Sequence, residues 1–197
     1  MSAIAIIPAR GGSRRIPGKN IRLFHGKPII QYSVEAARES KLFDEVFVST
    51  DHEGIGVVVS DMDVKVLMRP EALGHNSVGT QEVVRHALST MWRYEGHDPA
   101  IDHVCCIYAT APLMTVDDLM TGFSMLRGIV SPYVYTVGPD HQDAGQWYWG
   151  TYAAFINGVE LDYGQQYRLP ADRTCDINVE ADWLRAEQLY KDLYGPH

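Results

Sequence analysis

The chain has 197 residues, and its 17 basic and 25 acidic side chains give a formal net charge of −8. A negative balance excludes a general polyanion binder, such as a non-specific nucleic-acid-binding protein. Hydrophobic residues make up 46% and charged residues 21%, as in soluble globular domains and unlike disordered chains. A chain of this length buries enough surface for one stable core, so we expect a single domain over residues 1–197.

Cysteines and apolar runs indicate the cellular environment. Cys105, Cys106 and Cys175 are odd in number and contain no C-x-x-C pair, so we interpret them as small buried thiols rather than disulfides or zinc ligands. The first apolar run is too short for a signal peptide, and no run approaches a membrane span of about 18 residues. We therefore expect a cytoplasmic protein with neither a membrane nor a nucleic-acid partner.

In the N-terminal half, apolar runs alternate with a helical period. Residues 4–7 are continuously apolar, which is typical of a strand covered on both faces. Pro28 then precedes apolar residues at i, i+4 and i+7, which predicts a helix with proline at its first position. Residues 46–50 and 64–68 are predicted to form two further short strands.

The C-terminal half continues the alternation. Thr80 is predicted to cap a helix, and residues 103–108 are predicted to form the next buried strand. Thr115 and Asp118 have the spacing of a capping box at the start of another helix. Asn178 stands before the last helical segment, where an asparagine N-cap is common.

Strands separated by helices predict an α/β fold with three layers, α/β/α, around a mostly parallel, Rossmann-like sheet. Ligands of such sheets bind at the carboxyl ends of the strands. Polar clusters follow four predicted strands, at residues 10–20, Asp51, 69–80 and 108–112. The sequence therefore predicts a binding cleft at that edge of the sheet.

The segment from residue 8 to residue 20 is the strongest functional signal. It contains three glycines and four cations, and it follows a buried strand. Glycines let backbone N–H groups approach phosphate oxygens, and cations neutralise the charge that grows on phosphorus during transfer. The alternative interpretation is a solvated basic loop. The spacing is neither a G-x-G-x-x-G fingerprint nor a Walker loop, which disfavours dinucleotide oxidoreductases and P-loop kinases.

This segment resembles the signature loop of the CMP-sugar cytidylyltransferases, the family that activates sialic acid and related nonulosonic acids with CTP. Further matches follow in chain order at residues 26–30, 48–51, 69–73 and Thr80. Residues 108–112 and 143–150 are most similar to the pseudaminic acid branch. The sialic acid branch usually has Gln in place of Tyr108.

The resemblance implies a nucleotide-diphospho-sugar transferase fold with CTP over the first loop. The implied nucleotide-binding residues are Ala9, Arg10, Gly11, Gly12, Ser13, Lys19, Asn20, Arg69 and Thr80. Arg10 and Lys19 would contact the phosphates and, with Asp176, form the catalytic set. The anomeric hydroxyl of the sugar acid would attack the α-phosphorus, and pyrophosphate would leave.

The resemblance also implies Mg²⁺ as the cofactor. Asp176 and Asn178 stand where the family has an Asp-Ile-Asp segment, so they are the implied metal ligands. Asn178 keeps an oxygen donor but lacks one negative charge, which predicts weaker metal binding. The alternative role of Asn178, favoured from the residues alone, is the helix cap described above.

The acceptor side offers Tyr108, Gln146 and Tyr148 as candidates for contacting the sugar acid. The aromatic alternation around Gln146 fits an ordinary half-buried strand equally well, and Tyr108 also fits an amphipathic plug at a strand end. Arg168 and Arg173 are possible partners of a carboxylate, although surface charge is the favoured interpretation.

Residues 138–142 form a short connection where related enzymes carry a longer excursion that helps subunit pairing and acceptor contacts. The sequence thus predicts one nucleotidyltransferase domain that makes a CMP-activated, pseudaminic-type nonulosonic acid from CTP, with a possible homodimer. Two alternatives stay open. One is a nucleotide-binding homologue with weak or lost catalysis, and the other is the same chemistry on another sugar acid.

Overall fold

The computed structural model describes residues 2–75, 77–95, 101–128 and 130–195. The strands are β1 (Ala3–Pro8), β2 (Leu23–Phe24), β3 (Lys27–Pro28), β4 (Glu45–Thr50), β5 (Lys65–Met68), β6 (His103–Ile107), β7 (Tyr133–Val137), β8 (Asp143–Thr151) and β9 (Gln165–Arg168). The α-helices are α1 (Ile29–Ser40), α2 (Glu53–Val59), α3 (Thr80–Glu95), α4 (Val116–Gly128), α5 (Tyr152–Asn157) and α6 (Glu180–Tyr194). Short 3₁₀ turns lie between several of them.

The described strands form one large sheet in the order β5-β4-β1-β6-β8-β7-β9, plus the small β2–β3 pair. Strand β1 pairs in parallel with β4 and β6, and β4 pairs in parallel with β5. Strand β8 is antiparallel to both β6 and β7, because a short hairpin rather than a helical crossover joins β7 to β8. The predicted mostly parallel sheet is confirmed, with β8 as the reversed strand.

Helices cover both faces of the sheet, so the predicted three-layer architecture is confirmed. Alternate residues of β1 point to opposite faces: Ile7 packs with α1, α2 and α4, whereas Ile6 packs with α3 and α5. Strand β8 alternates likewise, with Trp147 and Trp149 fully buried on the first face and Tyr148 on the second. The three cysteines are buried and unbridged, as predicted.

A third apolar cluster joins the C-terminal helix to the loop after β1. Ile16 of the loop, Ile177 and the fully buried Trp183 of α6 belong to this cluster. The Arg22 guanidinium lies 4.3 Å from the centre of the Trp183 ring and makes two 2.7 Å hydrogen bonds to Glu180. This packing holds two distant segments of the chain against each other at one edge of the sheet.

The first residues of the helices show which of the predicted N-caps are present in the structure. The Thr115–Asp118 capping box is confirmed, since the Asp118 backbone N–H donates to the Thr115 hydroxyl and the Thr115 N–H donates to the Asp118 carboxylate. Helix α1 begins just after Pro28, one residue later than predicted. Thr80 does begin α3, but its hydroxyl is hydrogen-bonded to the Tyr108 phenol rather than to the helix backbone.

The predicted helix cap at Asn178 is wrong. Helix α6 begins at Glu180, and the Asp182 carboxylate accepts the backbone N–H groups of both Asn178 and Val179 at 2.8 Å. An acidic side chain in the first turn satisfies these N–H groups and also favours the positive end of the helix dipole. The Asn178 side chain is therefore available for other contacts. In the part of the chain that is described, no helix has the length and apolar character needed to cross a bilayer.

Candidate active site

A cavity of about 280 Å³ opens at the carboxyl ends of β1, β5 and β6. We call it the loop cavity. Its wall includes nine residues predicted from the sequence: Arg10, Ser13, Lys19, Asn20, Arg69, Thr80, Tyr108, Asp176 and Asn178. The fold thus brings together candidates from five separate segments of the chain.

Hydrogen bonds hold the loop after β1 in one shape. The Asn20 amide donates to the Arg10 carbonyl at 2.8 Å, and the Gly11 N–H donates to the Asp51 carboxylate at 2.9 Å. A Cβ on Gly11 would lie 2.6 Å from the His52 ring, so glycine is needed for this close approach. The loop therefore presents the Arg10 side chain at a defined place in the cavity wall.

The remaining loop residues support this wall from behind. Ala9 is fully buried and donates its N–H to the Ser49 carbonyl at 2.8 Å. Gly12 is exposed, and a Cβ there would meet nothing within 4 Å, so the structure shows no requirement for glycine at this position. Ala9 and Gly11 shape the loop, whereas Arg10, Ser13, Lys19 and Asn20 face the cavity.

Lys19 joins the loop to the opposite wall of the cavity. Its ammonium group donates to the Ile177 carbonyl at 2.6 Å, between Asp176 and Asn178. Burial lowers the pKa of Lys19, and the nearby Asp176 carboxylate opposes that shift. A cation is thus fixed beside an acidic side chain at one edge of the cavity.

Arg69 forms part of the floor. Its side chain is 3% exposed, and it donates to the Ser49 carbonyl at 2.8 Å while lying 3.8 Å from the Asp51 carboxylate. Burial lowers the pKa of Arg69, and the charge of Asp51 opposes the shift. The guanidinium therefore connects the ends of β4 and β5 beneath the cavity.

Asp51 helps to hold the site together. The sequence predicts it only as a polar residue that follows a strand. Its carboxylate binds the Gly11 N–H and faces Arg69. A Cβ on Gly74 would lie 1.9 Å from an Asp51 oxygen, so the carboxylate fits only because residue 74 is glycine. The sequence feature that could have identified Asp51 is its position directly after the buried strand β4, because the carboxyl ends of strands form the binding edge of such a sheet.

The acidic wall consists of Asp176 and Asn178, next to Asp143 and Gly145. The Asn178 amide N–H donates to the Asp176 carboxylate, and the Asn178 amide oxygen accepts a 3.1 Å bond from Arg15. Gly145 has φ +63°, and a Cβ there would lie 2.8 Å from an Asp176 oxygen. Only glycine meets both conditions without strain.

Asp143 is a second carboxylate at this wall, and the sequence did not single it out. It accepts the Gly145 N–H at 2.8 Å and the Tyr148 hydroxyl. Desolvation raises the pKa of Asp143, the Gly145 N–H opposes the rise, and the neighbouring Asp176 charge adds to it. Two carboxylates of the cavity wall, Asp143 and Asp176, therefore lie close enough to affect each other's charge.

The donors of this wall fit a hard cation. The described residues contain no group of three or more His, Cys, Asp or Glu side chains arranged to hold a metal. Asp176 and Asn178 offer a carboxylate and an amide oxygen, with Asp143 beyond Gly145. Mg²⁺ commonly binds through one or two carboxylates and takes its other ligands from phosphates and water, so this small oxygen set suits it.

The three acceptor candidates have different environments. Tyr108 lines the loop cavity, its hydroxyl is 2.9 Å from the Thr80 hydroxyl, and burial raises its pKa, so it stays a neutral phenol. Gln146 is 2% exposed and donates to the Arg173 carbonyl at 2.6 Å, behind the cavity wall. Tyr148 reaches Asp143. The strand interpretation of β8 is confirmed, but the expectation of a half-buried strand is wrong, because Gln146 and Tyr148 on one face and Trp147 and Trp149 on the other are all buried between helical layers.

Arg173 is a half-buried ion-pair partner of a buried carboxylate, so its interpretation as surface charge is wrong. Its guanidinium meets Asp118, which is 2% exposed and also accepts the Tyr167 hydroxyl at 2.9 Å. Arg168 is exposed and contacts the His141 ring, as expected of a surface cation. The Asp118–Arg173 pair fixes the start of the segment that carries Asp176.

Comparisons with known proteins identify the family. The sequence matches the family model described as Cytidylyltransferase over residues 4–145. It is 32% identical, over 228 aligned residues, to the pseudaminic acid cytidylyltransferase of Campylobacter jejuni, with 97% of each chain covered. Because that alignment is longer than this chain of 197 residues, the relative carries residues that this chain lacks.

Solved structures show the same fold. The structure of a CMP:2-keto-3-deoxy-manno-octonic acid synthetase complexed with CTP matches with a TM-score of 0.78 and 16% identity, covering 98% of this chain and 100% of that one. A Mycobacterium tuberculosis protein solved with manganese matches with a TM-score of 0.68 and 11% identity, covering 95% and 99%.

The fold and the sequence matches together show that this chain is a nucleotidyltransferase. The chain belongs to the cytidylyltransferase family, so the resemblance drawn from the first loop and the fold that it implies are confirmed.

Proposed function

We propose that this chain transfers a cytidylyl group from CTP to a nonulosonic acid of the pseudaminic type, releasing pyrophosphate. The observation that carries the proposal is a cavity lined by the cations Arg10 and Lys19 together with Asp176 and Asn178, in which the Lys19 ammonium is bonded beside Asp176. This arrangement suits a polyphosphate held between cations and a metal-binding wall. The full-length similarity to pseudaminic acid cytidylyltransferase supports the acceptor class.

Different predicted residues would contact different parts of the nucleotide. Arg10, Ser13 and Lys19 would contact the phosphates, where fixed cations lower the barrier by neutralising charge. The nucleoside would lie toward Asn20, Arg69 and Thr80, on the floor of the loop cavity. Ala9, Gly11 and Gly12 would hold the loop that bears these groups.

The reaction would need no covalent enzyme intermediate. The anomeric hydroxyl oxygen of the sugar acid forms a bond to the α-phosphorus while the bond to the pyrophosphate oxygen breaks, and the hydroxyl proton passes to water. The chain would contribute mainly the alignment of the two substrates and the charge of Arg10 and Lys19. Mg²⁺, held by Asp176 and Asn178, would neutralise phosphate charge.

Pyrophosphate release tests the proposal. The protein would be incubated with CTP, Mg²⁺ and, in separate reactions, pseudaminic acid, N-acetylneuraminic acid and 3-deoxy-manno-octulosonic acid. We expect pyrophosphate and a CMP-sugar, with pseudaminic acid giving the highest kcat/KM. The absence of product from every acid, with folded protein that binds CTP, would contradict the proposal.

One observation favours a second candidate, a nucleotide-binding homologue with weak turnover. Asn178 supplies the wall with an amide where the family motif has a carboxylate, and its amide N–H is bonded to Asp176. If this candidate holds, the chain binds CTP but turns over slowly, and Asn178→Asp restores the rate. An Asn178→Asp variant that is no faster than the unmodified chain would reject it.

We also propose that the active form is a cytoplasmic homodimer and that each subunit binds Mg²⁺. Symmetric dimers are the commonest assemblies of soluble enzymes. Light scattering of the purified protein would measure its mass, and a monomer mass under assay conditions would contradict the dimer. Substitution of Mn²⁺ or Ca²⁺ for Mg²⁺ in the assay would test which cation the site prefers.

A further inference from the structure

A second cavity, of about 290 Å³, lies beside the loop cavity. We call it the hairpin cavity, because the tip of the β7–β8 hairpin, His141 and Gln142, forms one of its sides. Tyr135 and Tyr148 form another. Asp143 lines both cavities, so the two spaces meet at one carboxylate.

A row of tyrosines connects the two cavities. Tyr108 of the loop cavity lies 5.7 Å from Tyr148, and Tyr148 lies 6.0 Å from Tyr135, measured between ring centres. The three residues stand on or directly after neighbouring strands, β6, β8 and β7. Tyrosine rings combine flat apolar faces with polar edges, a surface that suits a ligand with both kinds of group.

The two cavities differ in charge. Arg10 and Lys19 face the loop cavity, whereas the hairpin cavity is lined by the carboxylates Asp143 and Asp162. Arg168 contacts the His141 ring at the exposed rim and is not among the described residues that line the hairpin cavity. A ligand carboxylate would be repelled there, but uncharged O–H and N–H groups could donate to the two carboxylates.

The tip of the hairpin is compact. The Gly138 N–H donates to the Gln142 carbonyl at 2.8 Å, and the His141 N–H donates to the Gly138 carbonyl at 3.1 Å. The His141 ring lies 2.9 Å from the Gln166 amide oxygen of β9. A wall of the second cavity is therefore built from this chain's own short turn.

We infer that the hairpin cavity binds the uncharged end of the acceptor through its hydroxyl and amide N–H groups, while the acceptor's carboxylate end lies in the loop cavity. This assignment rests on the proposed function and adds the part of the site that distinguishes one sugar acid from another. Gln142 and Asp162 then act as specificity-determining residues. Neither touches the loop cavity within the described residues.

A tryptophan at position 142 tests the assignment. Gln142 is exposed, so Gln142→Trp fills the cavity mouth without removing a core contact. We expect the KM for pseudaminic acid to rise about tenfold or more, and the KM for CTP to stay within about twofold. Gln188→Trp is the matched control, because Gln188 lies on the exposed side of α6, and it should behave like the unmodified chain.

Asp162→Asn is a second variant, which keeps the shape of the side chain. It removes one acceptor of donated hydrogen bonds, so we expect about a threefold to tenfold rise in the KM for acids with amide N–H groups. A similar rise is expected for 3-deoxy-manno-octulosonic acid, whose uncharged end donates through hydroxyl groups, and an unchanged KM for every acid would contradict the role of Asp162.

Binding measured separately from turnover distinguishes failure of this inference from failure of the proposed function. Each acid would be titrated calorimetrically into the protein saturated with a non-hydrolysable CTP analogue. If the acid is turned over and Gln142→Trp leaves its KM unchanged, the cavity assignment is overturned and the proposed function stands. If an acid binds without turnover, the proposed function fails. The Kd of that acid for Gln142→Trp, divided by its Kd for the unmodified chain, then decides the cavity assignment: a ratio of about ten or more supports it, and a ratio near one overturns it. If no acid binds, both are overturned.

Discussion

The two sides of this site are built in different ways. On the loop side, hydrogen bonds to buried or half-buried groups fix the backbone and one cation: the Asn20 amide donates to the Arg10 carbonyl, the Asp51 carboxylate accepts the Gly11 N–H, and Lys19 donates to the Ile177 carbonyl. On the hairpin side, His141 and Gln142 are exposed at the tip of a short turn.

The difference follows from what each side has to do. Charge neutralisation at phosphorus requires donors and cations that are positioned before the reaction, since reorganising them would cost free energy in the transition state. Recognition of the acceptor's substituents requires only that some groups match, and surface turns tolerate changes in sequence and length. We therefore expect substitutions on the loop side to reduce the rate strongly and substitutions on the hairpin side to change mainly which acid is used.

The largest expected effect is at Lys19. Lys19→Met keeps much of the stem's volume but removes the ammonium from the junction of the two walls, and we expect kcat for pyrophosphate release to fall about 10²- to 10³-fold. Arg14→Met is the matched control, because Arg14 is an exposed cation of the same loop that does not line the cavity. A Lys19→Met variant as fast as the control would show that the loop side is not preorganised for charge neutralisation.

The next effect is on stability, at the buried pair behind the acidic wall. Arg173→Met leaves the Asp118 carboxylate buried without its cation, so we expect the free energy of unfolding to fall by about 2–4 kcal/mol. The exposed pair of Lys65 and Glu45, 3.0 Å apart, is the control, and Lys65→Met should cost less than about 1 kcal/mol. Urea unfolding measures both variants, and equal losses would show that the wall does not depend on the buried pair.

The same contrast between the two sides explains how much the sequence could predict. The loop after β1 was recognised because its residue types are local and dense in a short segment, and the elements around it follow from hydrophobic period. The role of the Asp51 carboxylate does not follow from the sequence, because it depends on the close approach of Asp51 to Gly11 and to Gly74, which belong to other segments. Spacing along the chain contains no signal of such a contact.

Two misinterpreted residues have a related cause. Asn178 has the right type and place for a helix cap, but Asp182, one turn further on, satisfies the same N–H groups. Arg173 has the composition of a surface residue, and only the fold shows that it reaches the buried Asp118 from a distant segment. Local patterns identify what a residue can do, whereas tertiary packing decides which of several competent residues does it.

A smaller effect is expected at Gly145, where the acidic wall meets the hairpin strand. Gly145→Ala places a methyl group 2.8 Å from Asp176 at a φ of +63°, so Asp176 has to move. We expect about a tenfold loss of kcat and about 1–2 kcal/mol of stability. Gly128→Ala is the control, since a Cβ at Gly128 meets nothing within 4 Å. Unchanged kcat in Gly145→Ala would remove Asp176 from the mechanism.

The smallest effect concerns Asp143, the carboxylate shared by the two cavities. Its pKa is raised in the folded chain, mainly by desolvation, above the value of about 3.9 in an unfolded chain. The folded state therefore holds this proton more tightly, so the stabilising contribution is present below the unfolded pKa and is lost as pH rises through the folded pKa. Above the folded pKa the ionised carboxylate is a small cost, because Asp143 is open to solvent and water screens much of it.

Asp143→Asn should consequently raise the melting temperature slightly at pH 7, and the gain should disappear as the pH approaches about 4. Asp61→Asn, at an exposed carboxylate away from both cavities, should show no such dependence. Thermal unfolding monitored by circular dichroism across this pH range measures the difference between the variants. If Asp143→Asn raises the melting temperature by the same amount at pH 7 and at about pH 4, the ionised Asp143 carboxylate does not destabilise the fold.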